Sequence, residues 1–257
     1  MIPREHGSWP MLFIPPILGL AASEGGSAAV AFFFLLGSLG AFLARTPLTA
    51  MGCGREKGAL PWLVGYSALA AAGFLPLLLA YGRWVLLLFA LPAGAALLLN
   101  LRLAAAKKTM SLANELTGIW TLSLGAPAAY YAAGGTPEPG AWLLWLLNGA
   151  YFTGPVFHVK LCAFQHQAAS NANALPLLEK ARRRSWAYHC AALAGVLALA
   201  AAGAAHWLAA IPFAAALIKT LAQGARAPRR MDFRRVGYGE VGHSLVFASA
   251  LLAAIYR

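Results

Sequence analysis

The sequence is dominated by apolar stretches, most of them about 20 residues long, that alternate with short polar segments. A helix that crosses the hydrocarbon core of a bilayer needs a stretch of about 20 residues. The stretches predict nine transmembrane spans, at residues 9–22, 28–44, 61–80, 84–100, 113–133, 141–163, 185–203, 205–222 and 241–256. The predicted fold is therefore all-α, a polytopic bundle of transmembrane helices that forms one membrane domain over residues 1–257.

Composition supports this class of fold. Hydrophobic residues make up 60% of the chain and charged residues only 11%, against roughly a quarter charged in a soluble domain. The formal net charge is +12, a value that in a soluble protein would suggest nucleic-acid binding. Because the apolar stretches place this chain in a membrane, we attribute the charge to attraction by anionic lipid head groups. The expected partner is thus the lipid bilayer and not nucleic acid.

The positive charges lie almost entirely on one side of the predicted topology. With nine spans, the N-terminal tail and the segments after spans two, four, six and eight share a side, and eighteen of the twenty Lys and Arg residues fall there. The other side holds only Arg83 and Arg257. The positive-inside rule then places the N-terminus in the cytoplasm.

Polar side chains near the cytoplasmic ends of the spans form a candidate ligand pocket. The bilayer makes such residues expensive to keep, and they come from several predicted helices at a similar depth, so a bundle could gather them. The candidates are His6, Trp9, Arg45, Asn100, Asn114, Glu115, His158, Lys219, Glu240 and His243. For Arg45 we favour snorkelling to the head groups, whereas Glu115, His158 and His243 lie deeper and favour a pocket.

Residues at the start of the predicted span at 113–133 fit both a structural role at the helix N-terminus and a role in the pocket. The segment at 111–114 offers a capping side chain, and a carboxylate at Glu115 interacts well with a helix N-terminus. If Glu115 faces the bundle interior, it also needs a cationic partner, for which Arg45 and Lys219 are candidates.

Four motifs resemble one family of membrane proteins. The stretch Arg4-Glu5-His6-Gly7-Ser8-Trp9-Pro10-Met11-Leu12 is similar to the His-Gly-(Ala/Ser)-Trp hallmark of the YwiC-like proteins. Ala44-Arg45-Thr46-Pro47-Leu48, Asn114-Glu115-Leu116-Thr117-Gly118 and Gly237-Tyr238-Gly239-Glu240 are compatible with the same family. The resemblance implies a multi-pass protein of the bacterial cytoplasmic (inner) membrane, and it assigns neither an activity nor a cofactor.

The predicted architecture is also similar to that of the UbiA-type intramembrane prenyltransferases, which share nine spans and long polar segments after spans two and six. Those enzymes hold magnesium through clustered Asp in these two segments. Here the segments at 45–60 and 164–184 contain one acid each, Glu56 and Glu179. The sequence therefore predicts no metal site, and any membrane transferase activity would proceed without a standard Asp-rich magnesium site.

Basic residues in the same two segments could bind phosphate directly, because a guanidinium group matches the geometry of phosphate oxygens. The candidates are Arg55, Lys57, Arg182 and Arg183. For Arg182 and Arg183 we favour attraction to an anionic lipid surface over a phosphate site.

Three functional hypotheses follow. The first is a UbiA-like bundle that binds an anionic isoprenoid or lipid ligand at its cytoplasmic end. The second is a small-molecule or ion transporter, which kinked, proline-containing helices would suit. The third is a haem-binding membrane protein, with His6, His158, His166, His189 and His243 as candidate ligands.

Overall fold

The structure is a computed structural model that describes residues 7–54, 58–108, 111–134, 136 and 138–256. These residues form ten α-helices, two short 3₁₀ segments and connecting turns, with no strand among them, which confirms the all-α fold. The helices are α1 (Ser8–Ala22), α2 (Ala28–Gly52), α3 (Ala59–Leu79), α4 (Leu86–Ala105), α5 (Leu112–Ser123), α6 (Gly125–Gly134), α7 (Pro139–Ala168), α8 (Leu175–Ala201), α9 (Ala210–Gly224) and α10 (Phe233–Ile255). The 3₁₀ segments are Ala172–Ala174 and Trp207–Ala209.

Capping side chains begin several of the helices, because the first N–H groups of a helix have no partner within it. Ser27 accepts a hydrogen bond from the N–H of Val30 at the start of α2. Ser111 accepts one from the N–H of Asn114 at the start of α5, and Asp232 does the same for α10. The capping predicted for the segment at 111–114 therefore comes from Ser111, and the Asn114 side chain takes part in another contact, described below.

Five helices are long and apolar enough to cross a membrane: α2, α3, α4, the segment Trp207–Gly224 that contains α9, and α10. Helix α1 is apolar but shorter. A helix lies at each predicted span, and the span predicted at 113–133 is divided between α5 and α6. The chain is therefore a multi-pass membrane protein, and the count of nine spans stays a prediction.

The long polar loops expected at 45–60 and 164–184 are largely helical, so that prediction was wrong. Helix α2 continues to Gly52, α7 continues to Ala168, and α8 already begins at Leu175. An apolar window marks only where the hydrocarbon layer ends. In α8 the residues before that window include Glu, Lys and Arg, which are good helix formers and start the helix earlier. The connection between α7 and α8 is correspondingly short.

The chain divides into two compact units, an N-terminal unit (Met1–Asn148) and a C-terminal unit (Gly149–Arg257). The tightest packing in the N-terminal unit is between α2 and α3. A Cβ atom added at Gly73 would overlap the backbone of Gly37, and one added at Gly40 would overlap the backbone of Ala70. Small residues that let backbones meet are a common basis of helix association in lipid, since burying apolar surface gains little there.

A second close approach in the N-terminal unit joins α1 to α6. A Cβ atom added at Gly19 would overlap the carbonyl oxygen of Ala126. An apolar cluster also draws α2, α3, α4 and α6 together. Its buried members are Val30, Phe34, Leu77, Leu86, Ala128, Ala129, Ala132 and Ala133.

The core of the C-terminal unit is aromatic. The rings of Tyr151 and Phe247 stack with centroids 4.0 Å apart, and Phe152 and Phe213 pack edge-on against Phe247. The phenol of Tyr151 donates a hydrogen bond of 2.8 Å to the backbone carbonyl of His243. These contacts hold α7, α9 and α10 together.

The contact between α2 and α3 predicts the effect of a single methyl group. We expect Gly73→Ala to lower the free energy of unfolding by about 1–3 kcal/mol, because the two backbones must separate to admit the new atom. Gly65→Ala, on the same helix, is the matched control, since its Cβ would meet no atom within 4 Å. Thermal unfolding of the purified variants in detergent compares them, and equal midpoints would show that the contact does not hold the pair together.

Candidate functional site

The structure assigns the predicted pocket residues to two groups, one in each unit. Trp9, Arg45, Asn100, Asn114 and Glu115 belong to the N-terminal unit. His158, Lys219, Glu240 and His243 belong to the C-terminal unit. His6, Arg55 and Lys57 lie outside the described residues.

A hydrogen-bonded polar group joins three helices of the N-terminal unit. The Arg45 side chain on α2 donates from Nε to Oδ1 of Asn100 on α4, at 3.3 Å. Asn100 in turn donates from Nδ2 to Oδ1 of Asn114 on α5, at 2.7 Å. Because Ser111 caps the α5 backbone at Asn114, the amide of Asn114 is held where Asn100 can reach it. We call Arg45, Asn100 and Asn114 the polar triad.

A cavity of about 450 Å³ lies within the N-terminal unit, in the range typical of small-molecule sites. Helices α1 to α6 all contribute to its wall, which is mostly aliphatic and aromatic. Among the lining residues are Leu12, Phe34, Phe42, Phe74, Ala93 and Leu122. Arg45 and Asn100 line it as well, so two members of the polar triad face the cavity.

The cavity is elongated, with an apolar end and a polar end. At one end Phe34 and Leu86 belong to the buried apolar cluster, and at the other Arg45 contacts Asn100. Phe34 and Arg45 both lie on α2 and both line the cavity, so a rise of 1.5 Å per residue places them about 16 Å apart. The shape suits a ligand with a long apolar chain and a polar head.

Helix α4 forms the outer wall of this cavity. Its buried residues are Leu86 and Ala104, close to its two ends, while Leu91 and Leu98 are 68% and 62% exposed. Ala93 and Asn100 come from the opposite face and line the cavity. A single helix therefore separates the cavity from the surrounding lipid.

Two of the predicted residues in the N-terminal unit lie beside the cavity. Trp9 stacks on Phe13 and meets the ring of Phe42 edge-on, with centroids 5.7 Å apart, so it supports a wall residue from behind. Glu115 is partly exposed in the first turn of α5. Lys219, which the sequence offered as its partner, pairs with Glu240 instead.

A charged group is buried in the C-terminal unit. Lys219 Nζ on α9 lies 2.6 Å from Glu240 Oε1 on α10, and His158 Nε2 on α7 lies 3.7 Å from the same oxygen. Glu240 and His158 are 8% and 5% exposed. Removing one partner of such a pair leaves an unpaired charge away from water, which is strongly unfavourable. His243, on the same helix as Glu240, accepts a hydrogen bond from Tyr151 at its backbone carbonyl.

Further polar residues of the C-terminal unit were missed by the sequence analysis. Thr220 lies between the imidazoles of His158 and His189, at 3.2 and 3.4 Å. Gln165 donates to the carbonyl of Gln223 at 2.8 Å. The available signal was helical spacing, because His158 and Gln165 lie seven residues apart on one face of α7.

Histidines of the C-terminal unit already use their ring nitrogens. His158 and His189 contact Thr220, and Nδ1 of His166 accepts a hydrogen bond from the N–H of Met231. A haem with two of these ligands would have to displace such contacts. Within the part of the chain that the structure describes, no group of three His, Cys, Asp or Glu residues could hold a metal ion.

The phosphate-binding candidates of α8 lie on its surface. Arg182 pairs with Glu179, one turn earlier, at 2.7 Å. Arg183 is exposed beside Lys180 and Arg184. This arrangement suits attraction to a charged surface, and the direct binding of a phosphate group stays a prediction.

Comparison with known proteins identifies the family. Residues 2–130 match the family described as YwiC-like protein, a stretch that includes every residue of the cavity wall. A relative from Bacillus subtilis (strain 168), named uncharacterized protein YwiC, is 29% identical over 167 residues, which is 62% of this chain and 66% of the relative. The chain thus spans slightly less than two thirds of that relative's length.

No solved structure matches the chain, so the comparisons give no support to the resemblance to UbiA-type prenyltransferases. The match to the YwiC-like family covers half of the sequence, and the structure contains several helices suited to a bilayer. The chain is a membrane protein that belongs to the YwiC-like family.

Proposed function

We propose that the N-terminal unit binds an anionic isoprenoid or lipid, with its apolar chain in the cavity and its head group at the polar triad. The observation that carries this proposal is the elongated apolar cavity that ends at Arg45 and Asn100. The ligand enters from the bilayer, where acyl chains already surround its apolar chain and polar head groups already surround its own head group.

The head group supplies most of the selectivity. Moving an apolar chain from lipid into an apolar cavity gains little, since both surroundings exclude water. A guanidinium that lines a low-dielectric cavity binds phosphate or carboxylate with charge-assisted hydrogen bonds. Arg45 is therefore the group that distinguishes an anionic ligand from a neutral one, and the amide of Asn100 holds its side chain in place.

We propose that the N-terminal unit binds its ligand without transforming it chemically. A magnesium-dependent transferase would need acids in the segments at 45–60 and 164–184. Among the residues that the structure describes there, Glu179 is the one acid, and it pairs with Arg182. The cavity wall itself contributes Ser38 and Thr121 as hydroxyl groups, and no Asp, Glu or His is among its described lining residues. A carrier or binding protein needs none of these groups.

A bulky residue on the cavity face of α4 tests the tail site. We expect Ala93→Phe to reduce the amount of co-purified lipid or polyprenyl phosphate at least severalfold, because the ring occupies the space of the chain. Ala95→Phe is the matched control, since Ala95 lies on the same helix but does not line the cavity. Native mass spectrometry of both variants measures the bound ligand, and equal retention would contradict the tail site.

Replacement of Arg45 tests the head site. We expect Arg45→Gln to weaken binding of an anionic ligand about tenfold to a hundredfold, the equivalent of one charge-assisted hydrogen bond. Arg102→Gln removes the same charge from an exposed position on α4 and should leave binding unchanged. Titration in nanodiscs with a polyprenyl phosphate and, separately, with phosphatidylglycerol distinguishes the two ligand sources. An equal loss of affinity in both variants would contradict the head site, because it would show that Arg45 contributes only general surface charge.

We further propose nine spans in the bacterial cytoplasmic membrane, with the N-terminus in the cytoplasm. The support is the charge bias of the sequence together with the tight turn at Gly203, whose φ of +72° needs a glycine. In this topology the two ends of α9 lie on opposite sides of the membrane.

Two cysteine positions test that arrangement in a chain whose Cys53, Cys162 and Cys190 have been replaced. We expect Ala204→Cys, before α9, to react with an impermeant maleimide on intact spheroplasts. Ala227→Cys, after α9, should react only once the membrane is opened. Both residues are exposed, so labelling from the same side would show that α9 does not cross.

A further inference from the structure

A chain of polar contacts runs through the interior of the C-terminal unit and joins α7, α8, α9 and α10. His158 Nδ1 lies 3.2 Å from the Thr220 hydroxyl, which lies 3.4 Å from Nε2 of His189. His189 Nδ1 lies 2.7 Å from the carbonyl oxygen of Ser185, and Glu240 Oε1 lies 3.7 Å from His158 Nε2. We propose that this chain is a proton-binding site, which takes up one proton and relays it between the two imidazoles through the Thr220 hydroxyl.

The carbonyl of Ser185 determines which groups donate and which accept along the chain. A carbonyl oxygen can only accept, so His189 must carry a hydrogen on Nδ1. When His189 is neutral, its Nε2 is a bare acceptor and the Thr220 hydroxyl donates to it. The hydroxyl oxygen then accepts from Nδ1–H of His158. Both neutral imidazoles are thereby held as Nδ1–H tautomers.

The same assignment of hydrogens leaves Nε2 of His158, at the Glu240 end of the chain, as an acceptor. With its hydrogen on Nδ1, neutral His158 has an unprotonated Nε2, which lies 3.7 Å from Glu240 Oε1 and 3.7 Å from the Cys162 thiol. Two acceptors that face each other leave a place for one hydrogen between them. A proton that enters there converts this contact from a repulsive one into a hydrogen bond.

Proton uptake reverses the two hydrogen bonds of the Thr220 hydroxyl, while His189 Nδ1 keeps donating to Ser185. The incoming proton binds Nε2 of His158, the Nδ1 hydrogen of His158 passes to the Thr220 oxygen, and the original hydroxyl hydrogen passes to Nε2 of His189. His158 ends as a neutral Nε2–H tautomer that donates to Glu240, and His189 ends as an imidazolium. One hydrogen has been added in total, and the positive charge has moved from one imidazole to the other.

Charged groups from each helix surround this chain and determine the cost of that charge. Lys219, on α9, pairs with Glu240 at 2.6 Å and opposes an imidazolium, whereas Glu240, on α10, favours it. From α7 the Cys162 thiol lies 3.7 Å from His158 Nε2, and His243 on α10 acts electrostatically on His158. From α8 the Ser185 carbonyl stabilises the protonated His189, because it accepts from Nδ1 in both states.

Nitrogen-15 NMR of the full chain, labelled at histidine and held in nanodiscs, tests the relay directly. At high pH we expect His158 and His189 as Nδ1–H tautomers. On acidification His189 should become doubly protonated while His158 switches to the Nε2–H tautomer, both with one midpoint. His166 and His206 are internal controls with the opposite tautomer, since Nδ1 of each accepts from a backbone N–H, of Met231 and Leu208 respectively.

Thr220→Val separates a relay from two independent histidines. This variant removes the hydroxyl and should abolish the His158 tautomer switch, whereas Thr220→Ser should keep it. An Nε2–H tautomer at His189 in the unmodified chain at high pH would overturn the proposal, and that measurement requires no variant. Different midpoints for the two histidines, unaffected by Thr220→Val, would overturn it too. Neither readout depends on a ligand of the N-terminal unit.

Discussion

A polar group placed in hydrocarbon must find its partner inside the protein, because no water is present to supply one. This constraint explains the two connected sets of polar residues, one in each unit. The amide of Asn100 links the guanidinium of Arg45 to the side chain of Asn114. Lys219 and Glu240 satisfy each other across two helices. Packing of small residues then brings the helices close enough for these contacts to form, as at Gly73 and Gly37.

Much of the fold could be predicted from the sequence, because the length of an apolar stretch reports the thickness of the bilayer. Helices lie where the apolar stretches predicted them, as α2, α3 and α4 show. The ends of the helices were not predictable in the same way. Helix α8 begins ten residues before the apolar stretch at 185–203, since its charged residues favour helix as much as its apolar ones do.

The candidate site was predictable in its parts and not in its arrangement. The free-energy cost of placing polar side chains near the hydrocarbon layer singled out Arg45, Asn100 and Asn114. The structure brings these three together. The cavity beside them was not foreseen, because it depends on how far one helix stands from its neighbours. Thr220 escaped notice for another reason: one hydroxyl within an apolar stretch hardly changes its hydropathy, and only its place between two imidazoles gives it a role.

Helix α4 is buried near its ends, at Leu86 and Ala104, and exposed to lipid along its middle. Outward bending of the central turns of such a helix would enlarge the space behind Ala93. The lateral pressure of the surrounding acyl chains, which opposes that bending, would then influence the volume of the cavity. If the cavity binds a lipid as we propose, a thinner or more loosely packed bilayer would admit a bulkier one.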